Sequence, residues 1–165
     1  MIRLRDYHST DAPRLVALAN NENVSRFLVY TFPYPYTMND AVWWITTGSH
    51  GNGAKTRVIE YDGAFAGSVG ITPQVGWKSH TAEIGYWLGE EFWGRGIATQ
   101  VMKQMTEEAF AEGALKKLFA PVMAPNLASA RVLEKSGFLL EGVFKNEVIK
   151  NGQMYDIHHY ARLRE

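Results

Sequence analysis

Glu83-Ile84-Gly85-Tyr86-Trp87-Leu88, then Gly89 to Trp93, then Gly94-Arg95-Gly96-Ile97-Ala98-Thr99 is the stretch on which the fold turns. Its first part, Ala82 to Leu88, reads as a strand, and Gly89 to Gly94 reads as a loop. From Gly96 the pattern becomes helical: Ile97, Val101 and Met105 recur every four residues, with Ala98, Met102 and Ala109 beside them. A glycine-rich loop therefore joins a strand to an amphipathic helix. Glycine and alanine let the backbone approach a ligand closely, and the first helical turn leaves N–H groups unpaired at the positive end of the dipole. That arrangement cradles phosphate. Arg95 adds fixed positive charge, and Thr99 adds a hydroxyl donor.

Three readings of the loop compete. A Walker A loop ends Gly-Lys-Ser/Thr, and this one does not. A dinucleotide fingerprint would put Gly94, Gly96 and Thr99 at its glycine positions; Thr99 fails, and the loop lies outside a βαβ unit opening a parallel sheet. The third reading is a helix start whose small residues only permit close packing.

Working outward, the remaining chain alternates short helices and strands. Ile2 and Leu4 alternate with Arg3 and Arg5 as a short first strand, and Ser9-Thr10-Asp11 offers N-caps to a helix whose apolar face is Leu15, Leu18 and Ala19. A second short helix spans about Glu22 to Phe27. Two prolines exclude regular structure from Thr31 to Tyr36. Thr37 with Asp40 forms a capping-box pattern before a helix carrying Val42, Trp43 and Ile45, which ends near Gly48. Arg57 to Tyr61 and Phe65 to Ile71 flank the hairpin signal Asp62-Gly63. Gly113 stops the long helix. A strand at Leu118 to Val122, a helix from Pro125-Asn126 to Lys135 closed by Gly137, and two strands around Asn151-Gly152 (Leu140 to Ile149, Tyr155 to Leu163) complete the chain. The order predicts one α+β (mixed α/β) domain, residues 1–165, with helices on a largely antiparallel sheet.

Composition narrows the function classes. The 165 residues are 46% hydrophobic with no net charge, which disfavours a nucleic-acid or anionic-membrane partner. Cysteine is absent, so disulfides, thiolate catalysis and cysteine-ligated metals are excluded. No apolar run reads as a signal peptide or bilayer span, and a cytoplasmic protein is expected. His158 and His159, adjacent on a strand, point to opposite faces, and no other histidine has ligand spacing, so no metal is expected.

The run from Glu83 to Thr99 resembles the acetyl-CoA motif of the GNAT acetyltransferase superfamily. Asn126-Leu127-Ala128-Ser129-Ala130-Arg131-Val132-Leu133-Glu134-Lys135-Ser136-Gly137-Phe138 resembles its second block. Glu141-Gly142-Val143 and Tyr155-Asp156-Ile157 are similar to the branch containing the ribosomal-protein N-terminal acetyltransferases. The resemblance covers nearly the whole chain and is strongest from Ala82 to Tyr160. It implies a GNAT-like acyl-CoA N-acyltransferase fold: a central, mostly antiparallel, V-split sheet with about four helices. It implies acetyl-CoA as cosubstrate, its pyrophosphate on the backbone of Arg95, Gly96, Ala98 and Thr99. Its pantetheine arm would pair with backbone of Ile84, Tyr86 or Leu88 and contact Asn126, which also suits a helix cap. Trp93 replaces the usual glutamine or arginine, and Leu133 replaces the usual tyrosine acid.

Direct acetyl transfer to a primary amine is the expected reaction. Glu83 is the candidate base, through water, and Ser129 the candidate donor to the departing thiolate; a salt-bridged strand carboxylate and an ordinary helix serine are the competing readings. The acceptor is expected to be a protein N-terminus or else a small amine, amino sugar or aminoglycoside-like compound. A non-catalytic acyl-CoA sensor is the other class. Aromatic residues crowd the first third of the chain: Tyr34 and Tyr36 are the candidate acceptor contacts, while Trp43 is read as packing its helix on the sheet. A monomer or homodimer is expected.

Overall fold

The computed structural model describes residues 1–165. One seven-stranded sheet runs β1-β2-β3-β4-β5-β7-β6. Its strands are β1 (Ile2–Arg5), β2 (Lys55–Tyr61), β3 (Ala64–Pro73), β4 (Thr81–Leu88), β5 (Lys117–Met123), β6 (Leu139–Lys150) and β7 (Gln153–Leu163). Every neighbouring pair is antiparallel except β4 with β5. Five α-helices accompany it: α1 (Ala12–Ala19), α2 (Glu22–Ser25), α3 (Met38–Thr46), α4 (Ile97–Ala111) and α5 (Leu127–Lys135). The expected mixed α/β architecture on a mostly antiparallel sheet is thus in place, with α2 only a single turn.

Short-range chemistry accounts for most boundaries. Asp62 and Gly63 (φ 49° and 81°) make the two-residue turn from β2 to β3, and Asn151 and Gly152 (φ 51° and 77°) make that from β6 to β7. At α3, Thr37 Oγ1 accepts from Asp40 N at 3.2 Å and Asp40 accepts from Thr37 N at 2.7 Å. α5 ends in a Schellman motif: Phe138 N donates to Leu133 O at 3.0 Å and Gly137 N to Glu134 O at 3.1 Å, with Gly137 at φ 84°. Ile97, Val101 and Met105 of α4 are at most 1% exposed, as the four-residue spacing requires. One buried cluster joins Leu15, Ala41, Val58, Ile71, Ile84, Met102, Leu118, Leu133, Phe138 and Tyr160 across the helices and the sheet.

Local differences from the expectations have physical causes. Asp11 does not cap α1; its carboxylate binds Arg5 through two 2.8 Å hydrogen bonds and accepts from His8 N, because burial beside a guanidinium outweighs a cap. α2 stops at Ser25, two residues before Phe27. β6 bulges at Asn146 (φ 48°), whose N–H is held by Asp156 at 2.8 Å. Trp43 is 57% exposed rather than packed on the sheet. Its neighbour Trp44 turns inward instead and donates Nε1–H to Tyr7 Oη at 3.0 Å.

Candidate active site

β4 and β5 pair at only three positions, Thr81 to Glu83 against Lys117 to Phe119, and then part. The hydrogen-bond register shows what this leaves open. Gly89 N donates to Ala66 O at 2.8 Å and Gln74 N to Thr81 O at 3.0 Å. Antiparallel bonding alternates along a strand. With Gly67 opposite Leu88 and Pro73 opposite Ala82, the odd positions Thr81, Glu83, Gly85 and Trp87 bond to β3. Ile84, Tyr86 and Leu88 therefore turn their backbone groups toward β5, where the partner strand has left. The Ile84 N–H still reaches the Phe119 carbonyl in the last rung of the paired part, and the Leu88 carbonyl is taken by Trp93 Nε1–H at 2.9 Å. Trp93 thus closes the last rung of the strand.

The glycine loop stands at the end of this split. Gly94 and Gly96 have φ 72° and 75°, a conformation that other residues adopt only under strain. No protein acceptor meets any backbone N–H from Gly94 to Thr99, and a β-carbon on Gly94 or Gly96 would meet nothing within 4 Å. α4 begins here and runs for 15 residues. Free N–H groups at the N-terminus of a long helix, under open space, fit the pyrophosphate of a nucleotide cosubstrate. The Arg95 guanidinium lies 5.9 Å from the ring centres of both Tyr61 and Phe92.

Below the split lies a cavity of about 660 Å³. Glu83, Ile84, Tyr86, Asn126, Ser129 and Tyr36 line it; Leu88, Arg95, Gly96, Ala98 and Thr99 lie outside, at the loop end. Tyr34 does not line it and is 53% exposed. Tyr36 is 5% exposed, and burial pushes its phenol well above the usual range.

The Glu83 carboxyl is half-buried and makes no hydrogen bond or ion pair. Burial pushes its pKa up. Asn126 Oδ1 accepts from Ser129 N at 3.2 Å and so caps α5, holding the first turn of that helix against the split. The Tyr86 side chain enters the cavity as well. Burial raises its phenol, and the neighbouring Ser129 hydroxyl opposes the rise. Leu133, 1% exposed, occupies the wall one helical turn beyond Ser129.

Several cavity residues escape sequence reasoning. Phe32 packs at a 45° tilt against Tyr36 (centres 5.2 Å apart) and edge-on against Trp87 (5.5 Å). Period-two alternation along β4 puts Trp87 on the face of Glu83, a signal present in the sequence. Phe32 belongs to the aromatic crowd of the first third, but its proline-rich loop has no period to say which way its ring points. Lys150 at the end of β6 donates to the carbonyls of Ser25 and Leu28, pinning the segment that leads to Phe32. No helix is long and apolar enough to cross a membrane, and no group of three or more metal-ligating side chains is present.

Comparison with known proteins gives a consistent picture. The family model described as Acetyltransferase (GNAT) domain matches residues 2–139. YdaF of Bacillus subtilis, whose provisional name is ribosomal N-acetyltransferase, is 34% identical over 115 residues, which cover 68% of this chain and 61% of that relative. The chain thus spans about three-fifths of that relative. YoaA of the same organism, an N-acetyltransferase by name, is 27% identical over 96% of this chain and 90% of its own. The microcin self-immunity acetyltransferase MccE, solved with acetyl-CoA and AMP, superposes with a TM-score of 0.87 at 28% identity, covering 99% of this chain and 92% of that one. RimL, a ribosomal-protein alpha-N-acetyltransferase solved with coenzyme A, also gives 0.87, at 26% identity, covering 98% and 93%.

Proposed function

The chain belongs to the GNAT acetyltransferase family, and from that premise we propose that it moves an acetyl group from acetyl-CoA directly to the amino terminus of a protein. The observation that carries this reading is the single cavity that joins the parted strands to the unpaired carboxyl of Glu83. Acetyl-CoA supplies the acyl group as an activated thioester. Ile97, Ala98 and Thr99 offer their free N–H groups to its pyrophosphate, and the Ile84 carbonyl and the Tyr86 backbone are available to its pantetheine arm. A strand N–H at the split also suits the thioester oxygen.

Glu83 takes a proton from the incoming ammonium, directly or through water, and the neutral amine so formed attacks the thioester. The raised pKa of Glu83 brings it nearer to that of its donor than an exposed carboxylate would be. The hydroxyls of Ser129 and Tyr86 stand together opposite, suited to hand a proton to the departing sulfur. The chain has no cysteine for an acyl-enzyme, which favours direct attack. An N-terminal acceptor is supported by likeness to RimL and to a ribosomal-protein-serine acetyltransferase of Escherichia coli, 35% identical over 83 residues.

Leu133, where family members often carry a tyrosine acid, favours a second reading, an acyl-CoA sensor without turnover. One experiment separates the readings. Calorimetric titration with acetyl-CoA, with NADH as control, should show binding of the first alone, lost in Gly96→Asp, which puts a negative side chain into the cradle. Thiol release should then follow addition of a peptide. A folded Gly96→Asp protein that binds acetyl-CoA normally would remove the cradle; binding without thiol release for any amine would leave the sensor.

A further inference from the structure

We infer that the acceptor is a primary amine on an uncharged apolar or aromatic body, with no carboxylate or phosphate near the amine. The inference rests on acetyl transfer taking place in this cavity. It comes from a census of the cavity wall. The acceptor side is built from six rings: Phe27, Phe32, Tyr36, Trp43, Trp44 and Trp87. No lysine, arginine or histidine lines the cavity anywhere.

The carboxylates that line it are Asp40 and Glu83. Asp40 is already engaged, accepting from Thr37 N and Thr37 Oγ1 at 2.7 Å each. Glu83 is the unengaged charge. Three cations on the flanking segments are committed elsewhere. Lys55 pairs with Glu112, Arg57 with Asp6 at 2.9 Å, and Lys150 holds backbone carbonyls. The Arg26 guanidinium sits 5.0 Å from the centre of the Phe27 ring.

This wall sorts acceptors by charge. An arriving ammonium meets ring faces, whose quadrupoles favour a cation, and then the one free carboxylate. An anion beside the amine would be desolvated against the same faces and repelled by Glu83, with no counter-ion lining the cavity to offset the loss. A free α-amino acid carries such an anion. A peptide terminus carries a neutral amide in its place. Specificity of this kind comes from what the site lacks as much as from what it offers.

The test measures thiol release with paired acceptors and uses acetyl-CoA calorimetry as the control on the parent reading. Phenylalaninamide, phenethylamine and a neutral peptide beginning with phenylalanine form one set. Phenylalanine and phosphoethanolamine form the other. The neutral set should show kcat/KM about a hundredfold higher than the anionic set. A peptide well ahead of phenethylamine would identify the source as a chain terminus; parity would identify a free amine. Trp43→Ala, at the cavity rim, should raise the KM of phenylalaninamide about tenfold with acetyl-CoA affinity unchanged.

Equal turnover of phenylalanine and its amide would overturn the inference. So would turnover of phosphoethanolamine above phenethylamine, or no turnover of the neutral set by protein that binds acetyl-CoA. Failure to bind acetyl-CoA at all would instead bring down the transferase reading itself.

Discussion

An alanine at Gly67 should disturb both stability and cosubstrate binding, because this glycine fixes how closely β4 lies against β3. A β-carbon there would lie 2.1 Å from Trp87 O, 2.9 Å from Leu88 Cα and 3.0 Å from Trp87 C. All three are backbone atoms, so no side chain can swing aside. β4 must retreat by about 1 Å to restore ordinary contact distances. Retreat from β3 is movement into the split that Ile84, Tyr86 and Leu88 border. Overpacking of this kind costs about 3 kcal/mol at the upper end of its usual range. In a chain of this size each kcal/mol lowers Tm by roughly 2–4 °C, so a fall of about 6–12 °C is expected.

Gly85→Ala is the matched control. It lies on β4, two residues from Trp87 and three from Leu88, and its β-carbon would meet nothing within 4 Å. Its stability should change by no more than about 0.5 kcal/mol. Thermal melts by near-ultraviolet circular dichroism read the first effect. Calorimetric titration with acetyl-CoA reads the second, with affinity in Gly67→Ala weakened about tenfold. If both alanine variants melt with the parent protein, the close approach of the two strands is wrong, and with it the geometry of the split.

Glu83→Gln should cut kcat about 10²–10³-fold and remove the acid limb of the pH–rate profile. Burial raises the carboxyl pKa, so in the parent protein the rate falls as pH drops through a value above the ordinary carboxylate range; a variant that keeps this limb excludes Glu83 as base. The raised folded pKa also makes ionised Glu83 a stability cost, absent below the unfolded pKa and complete above the folded one. Glu83→Gln should therefore melt higher than the parent at about pH 8 and no higher at about pH 3. Asn126→Ala removes the acceptor for Ser129 N and should cost about 1 kcal/mol, read as a Tm drop that Asn126→Asp largely restores. Asp11→Ala leaves Arg5 with Glu60 and the Asp6 carbonyl and should cost about 3 kcal/mol in urea unfolding. Burial opposes ionisation of Asp11, but the hydrogen bonds from Arg5 and His8 N outweigh it and lower its pKa. Its stabilisation is present above the unfolded pKa and lost as pH falls through the folded one, so the variant should lose part of the acid-side decline in Tm.

The pattern of success and failure in reading the chain follows the range of the forces involved. The turns at Asp62-Gly63 and Asn151-Gly152, the capping box at Thr37 and Asp40, the buried stripe of α4 and the cap at Asn126 were all legible. Each depends on residues within about one helical turn, where backbone sterics and local hydrogen bonds decide. Asp11 was misread because a local cap and a distant guanidinium compete for one carboxylate, and Arg5 is recognisable as its partner only once β1 and the first turn are packed. Trp43 and Trp44 differ by one residue, about 100° around a helix, and the sequence does not say which ring meets Tyr7. Tyr34 and Tyr36 look alike in a proline-rich loop, yet Tyr36 is anchored, its N–H donating to Asn20 Oδ1 at 3.0 Å.

By itself, then, the sequence determined the order of elements, the glycine loop that opens α4, the lack of a catalytic thiol and the period-two alternation that puts Glu83 and Trp87 on one face. The tertiary structure alone decided that β5 leaves β4 after three pairings, that no cationic side chain lines the cavity and that the Glu83 carboxyl is left without a partner. The physical reason is distance along the chain. A split between strands, or a counter-ion that is missing, is a property of segments dozens of residues apart, and nothing in either segment's own sequence records what the other fails to bring.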